Sequence, residues 1–328
     1  MGIEAAGAGL RPVFDRRSLI LATACLAPGA CAPPRAPSAV LNVASQKGST
    51  RAVMVASGAL AGVGYQIVWS EFAAASPLLE ALSAGAVDVG GVGDAPFLYA
   101  YAAGAQIKAV TALQTSASGA STAIVVPQAS PARTVRDLKG RRVATGKGSV
   151  GHYLLLRLLD QAGMPFSAVE TVFMTPGDCK AALERGSVDA WSTWSPYIGL
   201  ATLHGAAKVL ADGHGLFAGY SFMAARAAAI QGKRAQLLDF VRRLAVAYRW
   251  GSEHSDLFAV ALSRETGLPV DVSADQIRRQ SYRLAPLTAE VVHAEQATLD
   301  LYRRAGVASA GRTDLTAAFD PSFNGALG

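Results

Sequence analysis

The chain has 328 residues, of which 51% are hydrophobic, so it is long enough for one large domain or for two domains of ordinary size. Its formal net charge is +6, but the 30 basic residues are scattered and only 7% of the residues are aromatic. The basic stripe and the stacking surface that nucleic-acid binding requires are therefore missing, and we expect no nucleic acid among its partners.

Residues 1–40 have the composition of an export signal followed by a proline-rich spacer. The pair Arg16 and Arg17 precedes an apolar run over 19–27 and then small residues, which is the order of a secretory signal and resembles a twin-arginine signal. No apolar run reaches the roughly 20 residues needed to span a bilayer. We therefore expect an exported protein, which in a bacterium works in the periplasm.

The chain has three cysteines, and two of them lie in this leader. Cys25 ends LATAC and Cys31 ends PGAC; both segments resemble lipoprotein cleavage boxes, so either cysteine is a candidate for a lipid anchor. Cys179 is the single cysteine that follows. One thiol forms neither an internal disulfide nor a cysteine-rich metal site, and a lone cysteine is more often a small packed residue than a nucleophile.

From residue 41, short β-branched runs alternate with helical patterns of about ten residues. LNVAS, YQIVWSEF, VDVGGVG and IKAVTAL are typical of strands, and the same alternation recurs over 136–230. Strands that alternate with helices predict βαβ units on a mostly parallel sheet. After residue 231 the pattern becomes helical. The first of these helices has an apolar stripe, expected to pack onto the first half of the chain, that consists of Leu237, Leu238, Val241, Leu244 and Val246.

Two segments of the first half recur about 100 residues later. VASQKGS at 43–49 is repeated as VATGKGS at 143–149, and ALSAGAVDVGGVGDAP at 81–96 corresponds to ALERGSVDAWSTWSPY at 182–197. The period is too long for a solenoid. Two matches in one register instead predict two copies of an α/β lobe that face each other across a cleft.

These repeats define the predicted domains. We place the export signal and spacer at 1–40, lobe one at 41–130 together with 231–328, and lobe two at 131–230. Ligands of open parallel sheets lie at the carboxyl ends of the strands. Both KGS turns follow a strand and precede a helix, so both are expected at the cleft.

The KGS turns have the chemistry of an anion cradle, because the first N–H groups of a helix lack partners and lie at the positive end of its dipole. Gly148 lets the backbone approach closely, Ser149 adds a hydroxyl, and His152 follows one turn later. Gly48 and Ser49 occupy the equivalent places in the first copy. The alternative is a helix that Ser149 merely caps.

A nucleotide is excluded by the spacing of this turn. The phosphate-binding loop G-x-x-x-x-G-K-[ST] needs its lysine directly before the hydroxyl residue. Here Lys147 is followed by Gly148, and the preceding glycine, Gly140, is at the wrong distance from Gly146.

The second repeated block carries two contrasts between the lobes. Trp191 and Trp194 take the places of Gly90 and Gly93, and each tryptophan is either a core residue or part of an apolar cleft wall. Asp94 corresponds to Ser195, and both are either groups of the cleft or helix N-caps.

These segments resemble the aliphatic-sulfonate-binding proteins of bacterial ABC importers, in a wider group with taurine- and nitrate-binding relatives. The similar text is QKGS, VWSEFAAASPLLEALSAGAVDVGGVGDAP, LKGRRVATGKGSVGHYLLLRLLDQAG, TPGDCKAALERGSVDAWSTWSPY and GYSFMAAR. The resemblance implies an α/β, two-lobed periplasmic-binding-protein fold of type II that closes on a sulfonate. It also implies delivery to a membrane permease driven by an ATPase, and a monomer without cofactor, metal or catalytic residues.

The resemblance also implies which residues contact the ligand. They are Gln46, Gly48, Ser49, Gly93 and Asp94 in lobe one, and Gly148, Ser149, His152 and Trp191 in lobe two. Two departures from the family pattern stand out. Ser195 replaces a usual aspartate, which argues against an aminosulfonate, and Ser45 replaces a frequent aromatic residue.

Three alternatives stay open. The protein binds another small anion or a pyrimidine-type precursor, or it is an enzyme on the same scaffold, or it is a surface lipoprotein that signals ligand occupancy. For a sulfonate, which is ionised at all relevant pH values, affinity is expected to change little between about pH 6 and 9 unless His152 titrates near its usual pKa of about 6.5.

Overall fold

The computed structural model describes residues 39–46, 49–115, 119–308 and 311–327. The predicted export signal, with Cys25 and Cys31, lies outside the described residues, and so does Gly48. Within the described part of the chain, every helix is too short or too polar to cross a membrane.

The chain forms eleven strands and eleven α-helices in its described part. The strands are β1 (Val40–Gln46), β2 (Gln66–Phe72), β3 (Val89–Gly93), β4 (Ile107–Thr115), β5 (Thr122–Pro127), β6 (Arg142–Thr145), β7 (Glu170–Phe173), β8 (Ala190–Trp194), β9 (Ala207–Asp212), β10 (Tyr220–Arg226) and β11 (Tyr282–Ala285). The helices are α1 (Ser49–Ala56), α2 (Ala75–Ser83), α3 (Asp94–Ala102), α4 (Val150–Gln161), α5 (Pro176–Glu184), α6 (Tyr197–Thr202), α7 (Ala227–Gly232), α8 (Arg234–Glu253), α9 (Ser255–Thr266), α10 (Val270–Gln280) and α11 (Ala289–Arg304).

Two sheets organise these elements, and their strand orders match. The first sheet has the order β11-β4-β10-β3-β1-β2 and the second has the order β7-β6-β8-β5-β9. In each, the first three strands of the lobe are parallel, and one strand from elsewhere in the chain runs antiparallel between the third and the fourth. The duplication read from the repeats is confirmed, with β11 as an extra edge strand of lobe one. Both sheets are mixed, although most strands of each run in one direction.

The chain passes from one sheet to the other about ten residues before each predicted lobe boundary. β5, which lies within the segment predicted for lobe one, pairs with β8 and β9 of lobe two. β10 lies within the segment predicted for lobe two but pairs with β3 and β4 of lobe one. Lobe one therefore comprises the described residues of 39–115 and 220–327, and lobe two those of 119–213. Neither antiparallel strand belongs to the repeated text, so the repeat could not assign them.

The helix α8 packs under the first sheet as predicted. Leu237, Val241 and Leu244 are buried in one cluster with Leu41 and Val43 of β1. The last residue of the predicted stripe lies elsewhere, since Val246 is 55% exposed. It is two positions from Leu244, and i,i+2 neighbours on a helix do not share a face.

Candidate functional site

A cavity of about 570 Å³ lies between the lobes at the carboxyl ends of β1, β3, β7 and β8. Hydroxyl groups from both lobes line it, among them those of Ser49, Thr50, Ser149, Thr175, Ser195 and Ser221. Apolar and aromatic side chains complete the wall, among them Leu113, Phe173, Met174, Trp194, Phe217 and Tyr220. The cavity has the size and the mixed lining of a pocket for a small organic ligand.

Lobe one presents its turn through Gln46 and Ser49, which both line the cavity. Gln46 ends β1, and its Nε2 donates to the carbonyl oxygen of Gly91 over 2.7 Å, which ties the turn to β3. The Ser49 hydroxyl donates to the Gln46 carbonyl oxygen over 3.2 Å. The two side chains are thereby held at the end of the strand, facing the cleft.

Lobe two presents Ser149, the N-cap of α4. Its Oγ accepts a hydrogen bond from the His152 N–H over 3.1 Å, and the residue lines the cavity. The capping alternative is thus confirmed, and the predicted ligand contact stays a prediction, because a hydroxyl that accepts as a cap still has its own proton to donate. Val150, the next residue in the cavity wall, begins the helix, and its N–H has no partner among the described residues.

His152 lies behind this turn and does not line the cavity. Its Nδ1 accepts a hydrogen bond from the Gly148 N–H over 3.2 Å, and its ring packs edge-on against Phe173 with centroids 5.0 Å apart. Burial, helped by the charge of Lys147, lowers the pKa of His152 to about 4. The imidazole is therefore neutral across physiological pH. The two predicted contacts, Gly148 and His152, bind each other instead of facing the cavity.

Two predicted glycines allow the lobes to meet. Gly148 has φ +67°, and a Cβ on it would lie 2.6 Å from Cδ1 of Tyr99 in lobe one. A Cβ on Gly93 of lobe one would lie 2.6 Å from Cγ1 of Val150 in lobe two. Each glycine thus admits a side chain of the opposite lobe. Gly93 lines the cavity, whereas Gly148 does not.

The two tryptophans of β8 have different environments. Trp191 is fully buried in a cluster with Val125, Ala144 and Cys179, and it does not line the cavity. Trp194 is the last residue of the strand and does line it. The wall aromatic is therefore Trp194, and its position at the carboxyl end of a strand is the sequence signal that distinguishes the two.

Asp94 begins α3 and lines the cavity, although its side chain is almost completely buried. Its Oδ1 accepts the N–H of Ala95 over 2.7 Å, and its Oδ2 has no partner among the residues that the structure describes. Burial raises the pKa of Asp94 to about 7, against the opposing effect of the backbone hydrogen bonds. Gly93, and not Asp94, is the N-cap residue. The hydroxyl of Ser195, its counterpart in lobe two, is likewise buried without a partner.

Several wall residues were not predicted. Lys147 is the single lysine or arginine among the described residues that line the cavity, and Asp94 is the single carboxylate there. Tyr248, Gln276 and Tyr282 reach the cavity from the C-terminal third. These last three lie outside both repeats, so no internal match indicated them.

Two tyrosines bridge the lobes beside the cavity. The hydroxyl of Tyr197 donates to the carbonyl oxygen of Ala73 over 2.7 Å, and that of Tyr302 donates to the carbonyl oxygen of Ser149 over 3.0 Å. The second bond holds the KGS turn of lobe two against α11 of lobe one. In the described residues, no group of three His, Cys, Asp or Glu side chains is arranged to hold a metal ion.

Comparison with known proteins gives three findings. Residues 67–251 match the family model described as NMT1/THI5 like. A protein of Escherichia coli (strain K12), assigned as an aliphatic sulfonates-binding protein, is 36% identical over 266 residues, which are 80% of this chain and 83% of that protein. The MOPS-bound alkanesulfonate-binding protein SsuA of Xanthomonas axonopodis pv. citri is 32% identical, with a TM-score of 0.78 over 87% of this chain and 99% of that one.

The fold alone is shared more widely. The desulfurization enzyme DSZB has a TM-score of 0.63 over 88% of this chain and 99% of its own, at 18% identity. The relatives above 30% identity described here are binding proteins.

Proposed function

The chain belongs to the NMT1/THI5-like family, and on that premise we propose that it is the solute-binding protein of an ABC importer and captures aliphatic sulfonates. The relatives that support this proposal are sulfonate-binding proteins. The ligand is then passed to a membrane permease that a separate ATPase drives.

The observation that carries the proposal is the chemistry of the inter-lobe cavity. Ser149 presents a hydroxyl donor from lobe two, Gln46 keeps the second N–H of its amide in lobe one, and Lys147 supplies one positive charge. A sulfonate oxygen accepts hydrogen bonds readily and carries charge at every relevant pH, so neutral donors suffice to hold it. Phe173, Met174 and Trp194 provide an apolar wall for an organic tail.

The size of the cavity favours an organic anion over nitrate or sulfate. A volume of about 570 Å³ falls within the range of pockets that enclose small organic molecules. A bare inorganic ion would leave most of this apolar wall without a contact. We therefore place alkanesulfonates first, and nitrate last, among the candidate ligands.

Capture follows from closure of the two lobes. Anion-binding groups lie on both sides of the cavity, so a bound sulfonate stabilises the form in which the lobes meet. The close contacts of Gly148 with Tyr99 and of Gly93 with Val150 belong to that closed form. The permease then distinguishes loaded from empty protein by the relative position of the lobes.

A catalytic role for Cys179 is disfavoured by its surroundings. The thiol is fully buried, outside the cavity wall, and burial together with Asp178 raises the pKa of Cys179 to about 12. The thiolate, which is the nucleophile, is therefore not available at neutral pH. We propose a binding protein without catalytic residues or cofactor.

The location and assembly complete the proposal. The relatives imply an exported, periplasmic protein, and the leader proposed at 1–40 provides the export signal. We propose export by a twin-arginine signal, a lipid anchor at Cys25 or Cys31, and function as a monomer.

Isothermal titration calorimetry of the purified protein with alkanesulfonates, taurine, sulfate and nitrate tests the proposal. We expect the alkanesulfonates to bind most tightly. Ser149→Ala should weaken their binding by about tenfold or more, because one hydrogen bond to a charged group is lost. Absence of binding to every sulfonate in the panel would overturn the proposal.

A matched control separates binding from helix capping. Thr288 is the N-cap of α11, where its hydroxyl accepts the Val291 N–H over 3.4 Å, and it does not line the cavity. Thr288→Ala should lower the free energy of unfolding by about 1 kcal/mol, as loss of a cap does, and leave sulfonate affinity unchanged.

A further inference from the structure

Two carboxyl groups are buried together at one side of the cavity. Helix α11 packs against α3, and this brings Glu295 near Asp94. Glu295 is fully buried, and its carboxyl oxygens have no hydrogen-bond partner within the described part of the chain; the same holds for Oδ2 of Asp94. A buried, unpaired carboxylate is strongly destabilised unless it takes up a proton.

The groups around this pair do not supply a compensating cation. Tyr153 and Tyr302 lie beside the pair, and Tyr282 approaches it from β11. Lys147 and His152 belong to the turn and the first residues of α4. Arg157 of the same helix acts on Tyr153 and pairs with Asp160 over 3.9 Å. The hydroxyl of Tyr302 donates to Ser149, and that of Tyr282 pairs with Ser221. His152 is neutral, and Lys147 is on the opposite lobe, in the cavity wall.

Proximity makes simultaneous ionisation of the two acids unfavourable. Burial and then the charge of Asp94 raise the pKa of Glu295 well above its usual range, and the nearby Thr298 offsets this only in part. Of the two acids, only Asp94 lines the cavity. It is therefore the member of the pair whose charge a bound ligand would sense.

We propose that Asp94, kept neutral by its burial, binds the ligand in its protonated form and donates a hydrogen bond from Oδ2 to the sulfonate, while the neighbouring buried acid Glu295 stays neutral as well. This inference rests on the proposed function, since it needs an anionic ligand. An ionised Asp94 would repel that anion, whereas the neutral acid adds a donor and leaves the charge of Lys147 uncompensated. Each sulfonate that binds to ionised protein therefore takes one proton from solvent.

Affinity for a sulfonate should then depend on pH, in contrast to the nearly constant affinity expected from the sequence between pH 6 and 9. His152 cannot contribute between pH 6 and 9, because its pKa lies near 4. The pKa of Asp94 near 7 lies inside that interval. Affinity should be constant below about pH 6 and fall by up to about tenfold per pH unit above about pH 7.5, as linkage requires for a ligand that binds the protonated form.

The test is calorimetry with ethanesulfonate from pH 5.5 to 9, in buffers of different ionisation enthalpy, which counts the protons taken up. We expect uptake approaching one proton at the alkaline end. Asp94→Asn, which keeps a donor and cannot ionise, should bind ethanesulfonate with the same affinity at every pH and more tightly than the natural protein at pH 8.5. Glu295→Gln replaces a neutral acid by a neutral amide and should leave the fall in affinity at the same pH.

Taurine provides the contrasting ligand. If an ionised Asp94 held its ammonium group, affinity for taurine would rise with pH through 7 and Asp94→Asn would abolish the rise, and that result would overturn the proposal. So would ethanesulfonate binding that is independent of pH. Loss of sulfonate binding at all pH values would instead overturn the proposed function. Exposed Glu253 provides the control variant, Glu253→Gln, which should keep the natural pH profile, and thermal unfolding shows that each variant folds.

Discussion

The two lobes place an aspartate at the same point of the same topology, yet in opposite environments. Asp88 accepts the Asn42 N–H over 2.8 Å at the start of β3, and Asp189 accepts the Arg142 N–H over 2.8 Å at the start of β8. Asp88 is fully buried and also pairs with two cations, whereas Asp189 is half-buried. The backbone hydrogen bond is thus common to both lobes, whereas ion pairs to a fully buried aspartate occur in lobe one.

The cations of lobe one come from the returning segment of the chain. Arg226 ends β10 and lies 3.1 Å from Asp88, and Lys233, just before α8, lies 2.6 Å from it. In lobe two the nearest cation is Arg141, at 3.7 Å and exposed. In lobe one, Asp88 therefore also binds the C-terminal third of the chain to the first sheet through these two ion pairs.

The KGS turns also share a backbone arrangement between the lobes but differ in the side chains that they place at the cavity. A side chain at the end of the first strand donates to the third strand in both lobes, from Gln46 to Gly91 and from Thr145 to Ser192. In the alignment of the repeats, Gln46 corresponds to Gly146 and Ser45 to Thr145. The two donors therefore occupy adjacent positions of the repeat and not the same one. One lobe thereby keeps an amide at the cavity where the other keeps the bare backbone of Gly146.

The largest difference between the lobes should appear when each aspartate is replaced by asparagine. Asp88→Asn leaves Arg226 and Lys233 without their buried partner and should lower the free energy of unfolding by about 3 to 5 kcal/mol. Asp189→Asn removes only an exposed pair and should cost under about 1 kcal/mol. Urea denaturation at pH 7 measures both. Equal losses would show that the shared backbone hydrogen bond, and not the ion pairs, carries the stability.

The pH dependence of this prediction has a definite sign. Burial alone would raise the pKa of Asp88, but Lys233, the Asn42 N–H and Arg226 outweigh it and hold the pKa below its usual value. An aspartate with a lowered pKa stabilises the fold above its unfolded pKa of about 3.9 and loses this contribution as pH falls. The gap between the two variants should therefore narrow below about pH 4.

How much of the fold and of the cavity lining the sequence could predict depends on which residues the repeat covers. The repeated text indicated two lobes, the cleft and both turns, because identical local sequence forms identical strand–turn–helix units. It did not indicate β5 and β10, since an antiparallel partner is chosen by the assembled sheet. The repeat places both Trp191 and Trp194 opposite glycines and so does not distinguish them; the end of the strand at Trp194 does.

His152 supplies the next contrast, because its counterpart in lobe one is Ala52. Its pKa of about 4 in the fold lies below the unfolded value of about 6.5, so the unfolded chain binds more protons between these values. Stability should therefore fall as pH drops from 6.5 to 4, by about 3 kcal/mol from this residue. The residue is 4% exposed, so solvent screening reduces this little.

His152→Asn tests this by keeping an acceptor for the Gly148 N–H while removing the titration. The difference in unfolding free energy between the variant and the natural protein, measured at pH 4.5, 5.5, 6.5 and 7.5, should change in favour of the variant as pH falls. Exposed His293→Asn is the control for loss of a histidine as such. Parallel curves for His152→Asn and the natural protein would contradict the buried, neutral imidazole.

The smallest expected change in stability concerns the contact between the two lobes at Gly148. Gly148→Ala introduces both a strained φ and a methyl group 2.6 Å from Tyr99 of lobe one. Gly163 has φ +64° and no atom within 4 Å of its added Cβ, so Gly163→Ala carries the backbone strain alone. Both variants should lose about 1 to 2 kcal/mol of stability.

Only Gly148→Ala should also weaken sulfonate binding, by about tenfold, because the open form tolerates the methyl group and the closed form does not. Calorimetry with an alkanesulfonate on both variants separates the two effects. Equal affinities for Gly148→Ala and Gly163→Ala would mean that closure does not bring Gly148 against Tyr99 in the ligand-bound protein. A loss confined to Gly148→Ala, and reduced when Tyr99→Ala is added, would show that the lobes meet there when the ligand is held.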